Sequence, residues 1–311
     1  MIAFSFLKRF VFVFFLPFLF ISCHTPKSSV LFPVIYFDMD GTLLGNNGEV
    51  RPRSLDAIKK YQACGGQVGI ATGKGLEQMA EYNKMIQPNF PLVLSNGGVI
   101  FDAQKEVIVE QQALSQGVLD RLAQVIPALE GVYGTFVRYA DFTTVDQINE
   151  QVTGWTTEAR MEIREVCDNV PACLSKEKNS GTNLPLAVIL QIDSTKLEGL
   201  MNSLRQTLGD EVRLYSTSRK YCIIEILPKD LNKARVISQV LKSRGYDWKD
   251  VAVFGDGTND AEMLSAAGLG IAMGNCKPQS CEAALFVTGT NETDSIAKIV
   301  DRLLVKKECK M

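Results

Sequence analysis

The chain has 311 residues, of which 46% are hydrophobic and 22% charged, enough to bury a full core and suited to one large domain carrying an insertion. Its formal net charge of −2, with no arginine- or lysine-rich stripe through the middle, gives no electrostatic footprint for nucleic acid and leaves that partner out.

The first element is a leader. Lys8 and Arg9 precede an apolar run from Phe10 to Ile21, and Ser22 and Cys23 follow it. Charged, then apolar, then small is the order of a secretory signal. The run is also shorter than the roughly 20 residues that cross a bilayer. Residues 1–23 are therefore expected to be a signal or lipoprotein-like leader. Its end resembles a bacterial lipobox, whose cysteine receives the lipid, although Phe20 stands where that pattern prefers leucine. The polar HTPKSSV beyond it reads as a tether. On this reading the protein is a membrane-anchored, extracytoplasmic lipoprotein; the alternative is a cytoplasmic protein with an apolar extension. Lipidation of Cys23 would leave seven of the eight cysteines. Cys167 and Cys173 form the one pair whose short polar spacing suits a disulfide, beside the plainer reading of buried or free thiols.

After the tether, VLFPVIYFD is a near-continuous apolar strand, and LLGNNGEV carries an Asn-Asn-Gly turn that predicts a small hairpin. A helix starts near Pro52, shows Leu55, Ile58 and Tyr61 at helical spacing, and ends at Gly65 and Gly66. A strand at QVGIAT, a helix near GLEQMAEYNKMI and a third strand at PLVLSNGG follow. Short buried strands separated by helices predict an α/β fold, a doubly wound and mostly parallel sheet with helices on both faces. The regularity changes after Asp102. Residues 104–228 are less patterned, include CLSKEKNSGTNLP, and show strands at PLAVILQID and YCIIEILP, which reads as an inserted domain. Alternation resumes with the helix in LNKARVISQVLKSRG, the strand VAVFGDG, the helix NDAEMLSAAG and the strands LGIAM and ALFVT. The core is thus expected over 30–103 and 229–311.

Ligands of an open parallel sheet lie beyond the carboxyl ends of its strands. Those ends hold Asp38 and Asp40, Thr72 and Gly73, Asn96 and Gly97, and Asp256 with Asn259 and Asp260. Asp38, Asp40 and Asp256 would repel one another unless a cation lay among them, and hard oxygen ligands with water positions to spare suit Mg²⁺. A phosphate completes the charge balance: Gly41 lets the backbone approach an anion, Thr72 offers a hydroxyl, and a helix starting near Gly73 offers N–H groups. The single histidine, His24, lies in the tether, which excludes a Ser/His/Asp triad, a histidine phosphatase and a histidine-rich metal site. No cysteine has an arginine six positions later and no Gly-x4-Gly-Lys-Ser/Thr loop occurs, so acid, base and nucleophile fall mostly to carboxylates. Plainer roles stand beside these: Asp-x-Asp-Gly as a turn, Thr72 as a helix cap, Lys233 as a solvated helix lysine, Asn259 and Asp260 as a helix start. Asn96, which reads about as well as a turn cap, stays outside the candidate set.

Taken in order, DMDGT, ATGK, the lysine of EILPKDLNKARVI and GDGTND resemble the four motifs of the haloacid dehalogenase superfamily, nearest its Cof-like sugar-phosphate phosphatases; SNGGVIFD and GIAMGN strengthen the match. The resemblance implies a Rossmann-like core with an α/β cap inserted between the second and third motifs, over 104–228. It implies that Asp38 is a nucleophile forming an aspartyl-phosphate and that Asp40 is the acid and base. Thr72, Gly73, Lys233 and Asn259 would hold the phosphoryl group, Mg²⁺ would bind Asp38, the backbone oxygen of Asp40, and Asp256, and Asp260 would support the metal shell. The implied activity is Mg²⁺-dependent hydrolysis of small phosphorylated metabolites, sugar phosphates first. A phosphomutase or phosphotransferase uses the same intermediate, and a tethered binding lipoprotein on this fold would need no chemistry. Lys74, Ala234, Gly289 and Ser295 depart from the residues usual in relatives. In the cap, Arg138, Tyr139 and Arg160 are candidates to face a substrate, though a solvated or core role suits each of them better.

Overall fold

The computed structural model describes residues 29–175, 184–218 and 221–305; the expected leader and Cys23 lie outside them. The first part of the core holds β1 (Val34–Phe37), α1 (Pro52–Ala63), β2 (Gln67–Ile70), α2 (Leu76–Ile86), β3 (Leu92–Leu94), β4 (Val99–Asp102) and β5 (Val107–Gln111). The middle of the chain forms α3 (Gln116–Val125), β6 (Val132–Arg138), β7 (Thr143–Val145), α4 (Glu150–Glu158), β8 (Ile163–Val166), α5 (Val170–Ser175), β9 (Ala187–Ile192), α6 (Leu197–Leu208), β10 (Val212–Ser218) and β11 (Cys222–Pro228). The chain then closes with α7 (Lys233–Ser243), β12 (Val251–Gly255), α8 (Ala261–Ala266), β13 (Leu269–Ala272), α9 (Pro278–Ala283), β14 (Phe286–Val287) and α10 (Ser295–Arg302).

Among the described residues, five strands make a parallel sheet in the order β14-β13-β12-β1-β2. Alternate residues of β1 serve two cores. Ile35 and Phe37 share one with Ile58 and Tyr61 of α1 and Val300 of α10. Val34 and Tyr36 share the other with Val236 and Ile237 of α7 and Met263 of α8. Burial on both faces is why VIYF and VAVF are apolar throughout instead of alternating. The chain enters mid-sheet, steps outward to β2, and later returns on the other side of β1 as β12. The winding therefore reverses between β1 and β12, and a crevice opens at their carboxyl ends.

The expected third strand joins this sheet only in part. β3 meets β2 through one parallel bridge, Ala71 to Val93, and otherwise runs antiparallel in a sheet ordered β3-β4-β5. The cause is local: Ser95 (φ 49°), Asn96 (φ 55°) and Gly97 (φ 110°) turn the chain straight back, making a hairpin of β3 and β4. β5 lies beyond the expected core boundary at 103–104 yet pairs with β4, so this small sheet straddles that boundary.

The insert is built on a sheet ordered β10-β11-β9-β6-β7-β8, antiparallel except between β7 and β8. Leu119 of α3, Cys173 of α5 and Leu204 of α6 pack on one face. Val152 of α4 packs with Phe136 and Ile189 on the other. The sequence pointed to β9 and β11, the strands with the longest apolar runs, each interrupted by one polar residue, Gln191 and Glu225; β7 and β8 are short and rich in threonine and charge, and Gly134 breaks the pattern of β6. Among the described residues, the disulfides Cys167–Cys173 and Cys276–Cys281 close with Cα separations of 5.4 and 5.6 Å. The first replaces the plainer expectation of free thiols, since the turn into α5 brings both cysteines together; the second had no counterpart in the sequence reading. No helix among the described residues is long and apolar enough to cross a membrane.

Candidate active site

Asp38 is the first residue past β1, and its N–H donates to the Phe254 carbonyl of β12 at 3.0 Å, which sets it at the reversal of the sheet. It is buried, and its Oδ1 accepts from Lys233 Nζ at 2.7 Å. Lys233, the first residue of α7 and fully buried, also donates to Asp260 Oδ1 at 2.6 Å. The other oxygen of Asp260 accepts from the backbone N–H groups of Asp256 and Gly257, each at 2.9 Å. Asp256 follows β12 and accepts at Oδ1 from the Thr42 hydroxyl at 3.0 Å and at Oδ2 from Asn275 Nδ2 at 3.3 Å. Asn275 also donates to the carbonyl of Gly41, whose φ of 82° suits glycine in this turn. The disulfide Cys276–Cys281 closes the adjoining loop, in which the Lys277 N–H donates to the Asp256 carbonyl at 2.8 Å.

Electrostatics follow from this crowding. Burial, the Asp260 charge and the Asp256 charge push the Asp38 carboxyl well above the usual carboxylate range, and Lys233 pulls it back only in part. Burial opposes the charge on Lys233, but Asp260 and Asp38 together outweigh it and raise its pKa above that of an ordinary lysine. One carboxylate oxygen from each of Asp38, Asp256 and Asp260 lies within 4.8 Å of the others. Asp40 is not in that cluster by its side chain: its carboxylate is half exposed and pairs with Lys74 Nζ at 3.0 Å.

Thr72 lies two residues past β2, buried, and its hydroxyl accepts the Lys74 N–H at 3.2 Å. Opposite it sits Asn96, held by its own N–H donating to the Thr72 carbonyl at 3.0 Å. Asn259 Nδ2 donates to Asn96 Oδ1 at 2.7 Å, and Asn96 Nδ2 donates to Glu225 Oε2 of β11 at 2.5 Å. A side chain at Gly73 would press on the Asn96 amide at 3.3 Å, so the small residue keeps this wall open. The Gly73 carbonyl accepts from Arg138 of β6.

These groups open into a cavity of about 810 Å³ lined on one side by Asp38, Asp40, Thr72, Gly73 and Asn259. The insert forms the other side with Trp155, Arg160, Met161, Tyr221, Ile223 and Glu225. Besides Arg138, the seam between the two is held by Gln78 Nε2 donating to the Ala159 carbonyl at 2.8 Å and the Thr143 hydroxyl donating to Glu77 at 3.1 Å. Arg160, two residues past the end of α4, has a φ of 50°, and its guanidinium lies 5.9 Å from the ring centre of Tyr82 in α2.

All eight candidate residues gather at this crevice: Asp38, Asp40, Thr72, Gly73 and Asn259 line the cavity, and Lys233, Asp256 and Asp260 sit behind it joined to Asp38 or to one another. Tyr139, by contrast, is fully buried, its hydroxyl donating to the Cys173 carbonyl at 2.7 Å. Arg138 is buried as well, but at the seam, and it lines the cavity. Glu225, Thr42 and Asn275 escaped the sequence reading. Only Asn96 had carried a signal, as an asparagine ahead of two glycines after an apolar run.

Residues 35–300 match the family model of haloacid dehalogenase-like hydrolases. The chain is 25% identical over 284 residues to 5-amino-6-(5-phospho-D-ribitylamino)uracil phosphatase YwtE of Bacillus subtilis, covering 87% of this chain and 97% of that one. It is 25% identical to pyridoxal phosphate phosphatase YbhA of Escherichia coli, with 86% and 97% covered. A haloacid dehalogenase-like hydrolase from Bacteroides thetaiotaomicron superposes with a TM-score of 0.76 at 22% identity, over 87% of this chain and 99% of that one.

Proposed function

Because the chain belongs to the haloacid dehalogenase-like hydrolases, and so to the phosphoric monoester hydrolases, we propose that it is a Mg²⁺-dependent phosphatase of small phosphorylated metabolites that works through an aspartyl-phosphate on Asp38. The observation that carries this reading is Asp38 itself: a buried carboxylate at the reversal of the sheet, gripped by a buried lysine and facing a cavity large enough for a metabolite. Sugar phosphates are the first substrate class to screen.

The donor set fits the metal. Asp38, Asp256 and Asp260 are three buried carboxylates against one buried ammonium, Lys233, net −2 when all are ionised, a charge that a dication balances. Both oxygens of Asp260 are taken by Lys233 and by two backbone N–H groups. Asp38 and Asp256, the latter bonded to the neutral donors Thr42 and Asn275, would hold the ion with the backbone oxygen of Asp40, and Asp260, bonded to the Lys233 ammonium, would brace the shell. When bound, Mg²⁺ supplies positive charge against the phosphoryl oxygens.

The chain's own residues supply the rest. Lys233 fixes the rotation of the Asp38 carboxylate and favours its ionised form, the one able to attack phosphorus. As the ester P–O bond breaks, Asp40 gives the leaving oxygen a proton. Asp40 then takes a proton from water, which attacks the aspartyl-phosphate, frees orthophosphate and restores Asp38. Thr72, the N–H of Gly73 and Asn259 hold the phosphoryl oxygens meanwhile, and the insert's wall selects the alcohol. Phosphate release from a panel of sugar, nucleotide and cofactor phosphates in Mg²⁺ tests the reading. Activity on at least one of them that disappears with chelator or with Asp38→Asn supports it, and silence across the panel rejects it.

We also propose that the protein works outside the cytoplasm, anchored through Cys23. The order of charge, apolar run and cysteine supports this, as do the disulfides Cys167–Cys173 and Cys276–Cys281, since disulfides persist in oxidising compartments.

A further inference from the structure

Asn96 is held at some conformational expense. It and Ser95 both take left-handed backbone angles, φ 55° and 49°, which non-glycine residues adopt rarely. Its side chain is buried, and its amide bridges two residues far apart in sequence, Glu225 of the insert and Asn259 of the core. The direction of these bonds follows from chemistry. A carboxylate paired with a guanidinium only accepts, and Arg138 Nη1 lies 3.7 Å from Glu225 Oε1. Asn96 must therefore turn its NH₂ to Glu225, which leaves its carbonyl oxygen for Asn259, and Asn259 must answer with its own NH₂. A side chain at Gly257 would meet the Asn259 Oδ1 at 2.5 Å, so that oxygen lies over Gly257. The remaining Asn259 N–H is then the group left to meet an anion in the cavity.

We propose that Glu225 is a positioning residue for phosphoryl binding: from the insert, through Asn96, it fixes the Asn259 amide with its N–H rather than its oxygen available to the phosphoryl group. This rests on the reading of Asn259 as a phosphoryl ligand. The insert then does more than enclose the alcohol; it sets the polarity of one wall of the phosphate site. Burial leaves the pKa of Glu225 above the usual carboxylate range, with Arg138 and the Asn96 amide offsetting it in part, and it is the 3.7 Å approach of the Arg138 guanidinium that favours the ionised, accepting form. Its Oε1 has no hydrogen-bond partner and is sealed from solvent, which suits a residue acting through Asn96 and not one touching the alcohol.

The test is Glu225→Gln, whose amide offers Asn96 either an oxygen or an N–H and so no longer dictates direction. The expected result is a fall in kcat/KM of about tenfold, by the same factor for esters of different alcohols. Orthophosphate binding in Mg²⁺, measured by calorimetry, should weaken by a similar factor. In an Asn259→Ala background the same substitution should change either quantity less than about twofold. Asn96→Gly, which tolerates the left-handed backbone and removes the amide, should reproduce the loss if Glu225→Gln does not fold. A loss that differs from one alcohol to the next, an undiminished loss in Asn259→Ala, or unchanged orthophosphate binding overturns the proposal. A wild type that binds orthophosphate but hydrolyses no ester would instead refute the phosphatase reading, with the binding cycle still deciding the role of Glu225; a wild type that binds none refutes both.

Discussion

Replacing Asp38 by asparagine should abolish turnover and at the same time stabilise the metal-free protein. Asparagine nearly preserves the shape of the side chain but takes the buried set from net −2, three carboxylates against one ammonium, to −1. The raised pKa of Asp38 means that its ionised form is less favourable in the folded than in the unfolded chain, by burial first and then by Asp260 and Asp256, even with Lys233 beside it. Relief of such strain at a functional site is worth about 1–2 kcal/mol. For a chain of 311 residues each kcal/mol moves Tm by about 1.5 °C. The sign with pH is fixed: a carboxyl whose folded-state pKa is raised favours folding at low pH and loses that contribution as pH rises through the folded value. The advantage of Asp38→Asn should thus be absent in acid, grow as pH rises through that value, and shrink when Mg²⁺ stabilises the wild type; at 100 times its Kd that gain is about 2.7 kcal/mol. Thermal unfolding of both proteins in chelator and in Mg²⁺ across pH measures all of this, alongside a rate loss of at least about a thousandfold, roughly 4 kcal/mol. A variant that is less stable at neutral pH in chelator, or whose advantage is largest in acid, would refute the electrostatic account.

Asp256→Asn should raise the Mg²⁺ concentration needed for half-maximal rate, and Thr42→Val, which removes a hydroxyl from Asp256 Oδ1, should raise it by about 10–100-fold through orientation alone; metal titrations of the rate decide, and full activity in excess chelator would sink the metal assignment. Lys233→Met should cost about 3–5 kcal/mol in urea unfolding because it leaves Asp38 and Asp260 buried without their cation, and a loss under 1 kcal/mol would show that the pair is dispensable. Cys23→Ala should lose incorporation of a clickable fatty acid and keep its leader, while the wild type fractionates with membranes through a salt wash; unlabelled full-length wild type in the cytosol would end the lipoprotein proposal and leave the phosphatase untouched.

What the sequence disclosed and what it hid divide along contact distance. Asp38, Asp40, Thr72, Gly73 and Asp256 lie just past apolar runs that a parallel sheet buries on both faces, and Asn259 and Asp260 in the turn that follows, so local pattern plus one topological rule brings them together. Lys233 has no such run before it and was placed by resemblance; its burial depends on the packing of α7 beneath β1 and β12. The contributions of the insert were illegible for a different reason. Arg138 reaches Gly73 across 65 positions and Glu225 reaches Asn96 across 129, through antiparallel registers that no local spacing encodes. The hairpin of β3 and β4 was missed because an apolar tetrapeptide does not state its partner; the asparagine followed by two glycines was the sign that the chain turned back there. The Cys276–Cys281 bridge spans a loop and a helix start whose closure depends on Lys277 docking on the Asp256 carbonyl.

The seam between insert and core has a kinetic meaning. Parting the insert from the core, the wider exit for an alcohol broad enough to fill the cavity, requires Arg138 to release the Gly73 carbonyl, Gln78 to release Ala159, Thr143 to release Glu77 and Asn96 to release Glu225. The neutral Gln78–Ala159 bond is worth a net of about 0.5–1.5 kcal/mol and each of the three that involve a charged side chain about 1.5–3 kcal/mol, so the four together hold the parted state to a rarely visited one, about 5–10 kcal/mol up. Throughput on bulky esters is then set by the frequency of those visits, while for small esters the chemical step governs. Added viscogen should slow the first class and leave the second alone, and loosening the seam should speed turnover of large substrates even as their binding weakens.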